Sequence, residues 1–227
     1  MRYIKKQETP PAFTDWKAQA NEDWQPYWNS KDTNFRNPEK RIVHESLLKE
    51  QGYICCYCQR QIDLNNSHIE HFKPKDENCY PELSLEYSNF LASCQKENKD
   101  KAQNYQESPV HCGHLKGNWY DENLTISPLQ EDCNEYFTYT AFGDILPSED
   151  DEKKESAKIT IEKLGLNLPK LKSERRGAIE GLQELLQQVG NSKETLEKLV
   201  ENYDQVNEEG YLNQFCEVLI YFLKQDV

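Results

Sequence analysis

The 227-residue chain lacks any apolar run approaching the ~20 residues that a membrane-spanning helix needs. Its first residues, MRYIKKQETPPAF, carry basic groups but no apolar stretch of the kind a secretory leader uses. The expected compartment is therefore the cytosol. A GxxxxGK[ST] phosphate loop is missing, so any control by ATP is expected to come from outside the chain. There is no internal repeat. Positive charge is the main shortage: 27 Lys+Arg stand against 40 Asp+Glu, for a net charge of −13. The shortage is uneven, with residues 1–75 at +2, residues 76–149 at −10 and residues 150–227 at −5. Phosphate neutralisation by Lys and Arg drives non-specific nucleic-acid binding. A broad, self-sufficient nucleic-acid surface is thus excluded: either the contact is small or a basic partner supplies the rest.

What is present is 36% hydrophobic and 30% charged sequence, enough for one or two soluble domains with a modest core. Eight cysteines are present. In a reducing compartment, thiols at CxxC spacing bind metal more often than they form disulfides. Cys55-x-x-Cys58 has that spacing and can hold one corner of a tetrahedral zinc site. Cys56, Cys79, Cys133 and Cys216 have no evident task and read as packing or incidental thiols. The same stretch, residues 52–75, closes on Glu70-His71 followed by Pro74. A carboxylate beside a histidine offers a hard oxygen ligand for a metal and an imidazole to activate water. Taken alone, that pair reads as a surface pair.

Before the knuckle, residues 1–36 hold Trp16, Trp24, Trp28, Tyr27 and Phe35 between prolines. Basic residues are not densely interleaved with these rings, so packing is expected rather than base stacking. Asn37-Pro38 reads as a cap with proline at the first helical position, and Ile42, Val43, Leu47 and Leu48 give an apolar face that Gly52 ends. Residues 61–64 and 67–73, joined by a turn at 65–67, read as a short hairpin. Residues 96–106 read as a polar loop, and 119–147 as a possible hairpin. Beyond Pro147 the pattern is helical: one helix capped by Ser148 and ending at Gly165, one from Leu171 to Val189, one opened by Asn191 with Glu194, and a last one with Leu212, Phe215, Leu219, Phe222 and Leu223 on one face.

With Asn89, Cys94 and Cys112 added, the order CxxC, Glu-His…Pro, Asn, then a second cysteine pair resembles the HNH endonuclease superfamily. More narrowly, the opening MRYIKKQETPPAF, the CCYC…HIEHFKPK core and HCGHLKGNWYDENLTISPL resemble the PtuB group, the HNH component of Septu anti-phage defence, which also accompanies some retrons. The resemblance covers about residues 1–147. It implies an α+β, mostly helical fold: a ββα-metal unit with a zinc knuckle, embedded in helices, and a C-terminal helical bundle. The expected division is a nuclease domain at 1–147 and a helical, partner-docking domain at 148–227.

The same resemblance implies roles. Cys55, Cys58, Cys94 and Cys112 would hold a structural Zn²⁺. Glu70 would ligate a catalytic Mg²⁺ or Mn²⁺, His71 would be the general base, and Asn89 would position the His71 loop. DNA would be the substrate and a PtuA-like SMC/ABC ATPase the partner, with a retron reverse transcriptase and its DNA in retron-type systems. The alternatives are an inactive zinc-stapled adaptor and a nuclease toxin directed at RNA. Two departures from the family stand out. Cys94 and Cys112 are far apart, which a zinc site tolerates because loop closure grows only logarithmically; Cys79 or His111 is an alternative ligand. Gly113 stands where many relatives carry a metal ligand, making His114 the nearest substitute, with Asn98 and His111 behind it. His44, on the helix before the knuckle, and His68, three residues before His71, are not expected to be ligands.

Overall fold

Helix α1 (Pro11–Lys17) buries Phe13 and Trp16, and α2 (Glu39–Glu50) buries Val43, Leu47 and Leu48; they appear in a computed structural model that describes residues 1–94 and 109–225. The polar stretch at 96–106, with Asn98, lies outside the described residues. Helix α2 begins one residue later than its sequence suggests, with Pro38 itself at the cap. It stops at Gly52, whose φ of +57° favours a residue without a side chain. A Cβ there would also meet Leu212 Cγ at 2.6 Å. Buried Gln51 then sutures the helix end to the sheet. Its Nε2 donates to the carbonyls of Ile54 (2.9 Å) and Ala92 (2.8 Å), and its Oε1 accepts from the Ala92 N–H at 2.7 Å.

Strand β1 (Ser67–His71) runs antiparallel to β2 (Phe90–Cys94), with Glu70 opposite Leu91 and His71 opposite Phe90. The hairpin expected between 61–64 and 67–73 does not form. Gln61 makes a single bridge to Ile54. Asp63 Oδ1 accepts from the N–H groups of Asn65 (2.6 Å) and Asn66 (3.1 Å), which turns the chain locally instead of extending it. The partner of β1 is the fully buried FLASC run of β2, where apolar burial on both sides favours a strand. Helix α3 (Gly113–Lys116) follows, entered through Cys112.

The expected hairpin within 119–147 is present as β3 (Phe137–Tyr139) paired with β4 (Ile145–Pro147). Four helices follow: α4 (Asp151–Lys163), α5 (Pro169–Val189), α6 (Lys193–Asp204) and α7 (Cys216–Gln225). The caps fall beside the expected ones. Asp150 accepts from the Glu152 N–H at 2.9 Å, while the Ser148 hydroxyl accepts from Asp150. Ser192, next to Asn191, accepts from the Thr195 N–H at 3.2 Å. In both places the acceptor nearer the first free N–H groups serves as the cap.

A single buried cluster joins Met1, Phe13, Tyr57 and Phe90 to Ala157, Leu171, Ile179 and Phe215. A second one, Leu182, Leu196, Leu219 and Leu223, locks α5, α6 and α7 together. The molecule is thus a helix-rich α+β protein, with two small sheets among the described residues. Among the described residues no helix is long and apolar enough to cross a membrane.

Candidate functional site

The knuckle begins where Cys55 N–H donates to the Arg60 carbonyl (2.9 Å) and Gln59 N–H returns to the Cys55 carbonyl (3.0 Å). Gln59 adopts φ +64°, which lets the turn close tightly around both thiols. Cys56 N–H donates to the Ala92 carbonyl at 3.1 Å, so the knuckle docks on β2 and meets Cys94 at the strand end. Cys112 arrives from the other side, its N–H held by the Leu164 carbonyl at 2.8 Å. The four sulfurs of Cys55, Cys58, Cys94 and Cys112 all lie within 4.8 Å of one another, and all four residues are buried.

Thiolates ~2.3 Å from a tetrahedral zinc have sulfur–sulfur edges of ~3.8 Å. The cluster fits that size, with Cys58 Sγ and Cys94 Sγ 3.4 Å apart. Burial opposes the Cys55 thiolate, yet hydrogen bonds from Cys112, Cys56, Cys58 and Cys94 hold its pKa well below the usual thiol value; burial pushes Cys112 well above it. All four sulfurs could be thiolates at this spacing only with a cation among them. The group is complete without Cys79, which is exposed, or His111, whose Nδ1 lies 3.1 Å from Cys112 Sγ at the edge of the cluster.

Register is regular through His71, so strand alternation starts Glu70 and His71 toward opposite faces of β1, but at this strand end the Glu70 charge still acts on both His71 and Lys75, which keeps the two side chains within one site. Glu70 is buried, and its two oxygens are used differently. Oε1 accepts from the Tyr57 hydroxyl at 3.2 Å and pairs with Lys116 Nζ at 3.1 Å. Oε2 faces His68 Nε2 at 3.4 Å. Burial disfavours the charged carboxylate, but His68 and Lys116 hold its pKa below the usual carboxylate value. Lys116 is itself buried and also donates to the His71 carbonyl at 3.0 Å, so one ammonium touches both residues of the pair.

His71 is wedged between Trp28 (ring centres 4.6 Å apart) and Phe90 (5.0 Å). Its Nε2–H donates to the Ser84 carbonyl at 3.0 Å, which leaves Nδ1 as the nitrogen with a free lone pair. Burial, and then Lys75, push this imidazole down to about 4. Asn89 ties down the chain just beyond it. The Asn89 side chain accepts from the Lys73 N–H at 2.8 Å and donates to the carbonyls of Lys73 (2.9 Å) and Leu83 (3.2 Å).

His114 is exposed, with its ring centre 4.4 Å from that of His68. His44 sits farther along the same side, its Nε2 2.8 Å from Ser67 Oγ, and burial followed by His68 pushes it down to about 4. His68, set aside on the sequence, is therefore the histidine placed against Glu70. Sequence reasoning also passed over Lys116, Tyr57 and Trp28. The HLKG run after Cys112 was a usable signal for Lys116. Nothing local could have paired Trp28 with His71, 43 positions away in sequence. Two lysines flank that tryptophan, Lys40 Nζ at 4.8 Å and Lys75 Nζ at 5.2 Å from the ring centre.

No family model matches the chain. Two curated proteins do. One, from Vibrio cholerae serotype O1 biovar El Tor, is named as a candidate HNH endonuclease of retron Vc95. It is 35% identical over 160 residues, spanning 69% of this chain and 73% of its own length. The other, from Escherichia coli, is named in the same way for retron Ec83 and is 29% identical over 210 residues, with 78% of each chain covered.

Proposed function

Because the chain belongs to the HNH endonuclease superfamily, and so is a phosphodiester hydrolase by kinship, we propose that it cuts DNA as the effector of a retron-type anti-phage complex. The observation that carries this reading is the end of β1. There Glu70 is buried but keeps one oxygen clear of Lys116, and His71 is held in the tautomer a base needs. An adaptor that had lost its chemistry would have no use for either feature.

In this reading His71 Nδ1 takes a proton from the attacking water. The water oxygen bonds to phosphorus, and the bond from phosphorus to the leaving sugar oxygen breaks. The Ser84 carbonyl and the rings of Trp28 and Phe90 keep the imidazole oriented and dry. Asn89 keeps the loop behind it in place. Glu70 Oε2 is the atom that would hold a divalent cation, Mg²⁺ or Mn²⁺, whose charge offsets the negative charge growing on the phosphate and leaving oxygen. Lys116 balances the buried carboxylate from the other side. Zn²⁺ in the four-cysteine cluster has the structural task of holding the knuckle, β2 and α3 together.

Residues 148–227 would serve as docking surface for an SMC/ABC-like ATPase of the PtuA type, with the retron reverse transcriptase and its DNA in the same assembly. The retron names of the two relatives support that context. The test is nicking of supercoiled plasmid by the zinc-loaded chain, alone and with the ATPase, in Mg²⁺, in Mn²⁺ and in chelator. Cation-dependent cutting of DNA is expected. Cutting confined to RNA would replace the substrate, and no cutting in the full complex would end the proposal.

A further inference from the structure

The carboxylate of Glu70 has an unequal environment. Tyr57 and Lys116 occupy Oε1, whereas among the contacts described His68 faces Oε2. A pair at 3.4 Å is long for a hydrogen bond between nitrogen and oxygen, whose usual separation is ~2.9 Å. It does match two ligands of one metal ion. With metal–nitrogen and metal–oxygen bonds of ~2.1 Å, the two atoms stand roughly 3.0 Å apart at a right angle and roughly 3.4 Å apart at the tetrahedral angle. The other ring nitrogen, His68 Nδ1, is buried and has no hydrogen-bond partner. With Nε2 turned to the carboxylate, Nδ1 is the nitrogen that would carry the proton if Nε2 held a metal.

Gly113 explains how His68 comes to be there. A Cβ at position 113 would meet Glu70 Oε2 at 2.3 Å, Glu70 Cδ at 2.8 Å and His68 Nε2 at 2.9 Å. Any side chain on that residue would push both groups away. The Gly113 N–H is anchored to Ser93 Oγ at 3.1 Å, so the backbone cannot easily retreat. The missing ligand at 113 and the presence of His68 are thus one exchange: the imidazole comes from β1, two residues before the carboxylate and on the same face by strand alternation.

We propose that His68 Nε2 and Glu70 Oε2 together bind the catalytic divalent cation, and that His114, its ring tilted against that of His68, is an outer group and not the principal nitrogen ligand. The inference rests on the nuclease reading above. It also sets a metal class. An imidazole in the first coordination sphere favours Mn²⁺, Co²⁺ or Zn²⁺ over Mg²⁺, which prefers oxygen and water.

The experiment is electron paramagnetic resonance of Mn²⁺ added to protein whose cysteine site is already filled with zinc. Wild type should bind one further Mn²⁺, with nitrogen hyperfine coupling from an imidazole. His68→Gln, which fills similar space, should lose that coupling and bind Mn²⁺ roughly tenfold or more weakly. His114→Ala should keep the coupling. Glu70→Gln should abolish the site in either case and so reports on the nuclease reading itself. Wild-type Mn²⁺ binding by Glu70→Gln would overturn that reading. Loss with Glu70→Gln but an unchanged spectrum with His68→Gln would overturn the role of His68 alone. Coupling lost only with His114→Ala would give the ligand to His114.

Discussion

Asn89 grips both ends of one residue: its Oδ1 accepts from the Lys73 N–H at 2.8 Å and its Nδ2 donates to the Lys73 carbonyl at 2.9 Å. The Asn89 backbone carbonyl adds a third tie, to the Phe72 N–H at 2.9 Å. The two residues after His71 are therefore pinned by the residue that leads into β2 and not by their own loop. Asn89→Ala would leave partly buried backbone groups of Lys73 and Leu83 without these bonds, at a cost of ~1 kcal/mol each. The expected outcome is a lower melting temperature and slower cleavage, with a smaller rate loss than removal of His71. Unchanged melting together with an unchanged rate would show that the loop holds itself.

His71 is expected to be the base because the Ser84 carbonyl selects its tautomer and its Nδ1 is left free. Loss of a general base costs ~10²–10⁴ in rate. His71→Ala should lower single-turnover cleavage by that factor while zinc content and melting change little. Cleavage at the wild-type rate in this variant would falsify the assignment.

The four-cysteine cluster joins three segments: the knuckle, the end of β2 and the start of α3. Structural zinc sites in small modules bind with apparent free energies of ~10–16 kcal/mol, and that binding is folding free energy. Cys58→Ser should therefore lower soluble yield and bring zinc per chain well below one, measured by elemental analysis. A strong chelator should lower the melting temperature of wild type. Full zinc occupancy in Cys58→Ser would move the metal to another ligand set, with His111 at the cluster's edge the first to examine.

How legible all this was in the sequence varies residue by residue. Cys55 and Cys58 could be paired from their short spacing, whereas Cys94 and Cys112 joined them only through the resemblance; the fold brings the four sulfurs together. Asn89 was readable only through resemblance, and its bonds to Lys73 supply the physical reason. The strand partner of β1 was misjudged because a turn at 65–67 looks the same whether it closes a hairpin or merely follows an Asp63 turn. His68 was set aside because distance from His71 was counted along the chain, whereas strand alternation places it beside Glu70. The Trp28–His71 contact is a tertiary event with no local signature.

Lys40 and Lys75 flank Trp28 beside His71, a place where a nucleic-acid phosphate would approach the base. Both side chains are half-buried, and burial lowers both ammonium pKa values, with Lys40 also opposing Lys75. Two partly desolvated like charges gain from an anion between them. Each phosphate contact contributes about one unit to the slope of log affinity against log salt. Lys40→Ala and Lys75→Ala should each weaken DNA binding, and the double variant should flatten the salt dependence by about two. If the slope stays at its wild-type value, the lysines only pack against the indole.

The two lysines do not overcome the acidity of the rest of the chain. Residues 76–149 carry −10, and Glu122, Glu131, Glu135, Glu149, Asp150 and Asp151 are exposed along and beyond the β3–β4 region. Repulsion between exposed charges reaches about one Debye length, ~8 Å at physiological salt. A DNA duplex is wider than that, so part of it would meet acidic surface while its backbone lay at His71. A partner with a basic face solves both problems: it covers the acids and brings its own contacts to the DNA. The isolated chain is therefore expected to bind DNA weakly and cut slowly at physiological salt, and to speed up when the ATPase is added. Charge reversal at Glu131, Glu135 and Glu149 should weaken that complex in a pull-down or by calorimetry while leaving zinc and Mn²⁺ binding unchanged. If acidity serves solubility alone, the reversed variant will keep full affinity for the ATPase. Tight DNA binding with fast multiple turnover by the chain on its own would dispose of the need for a partner altogether.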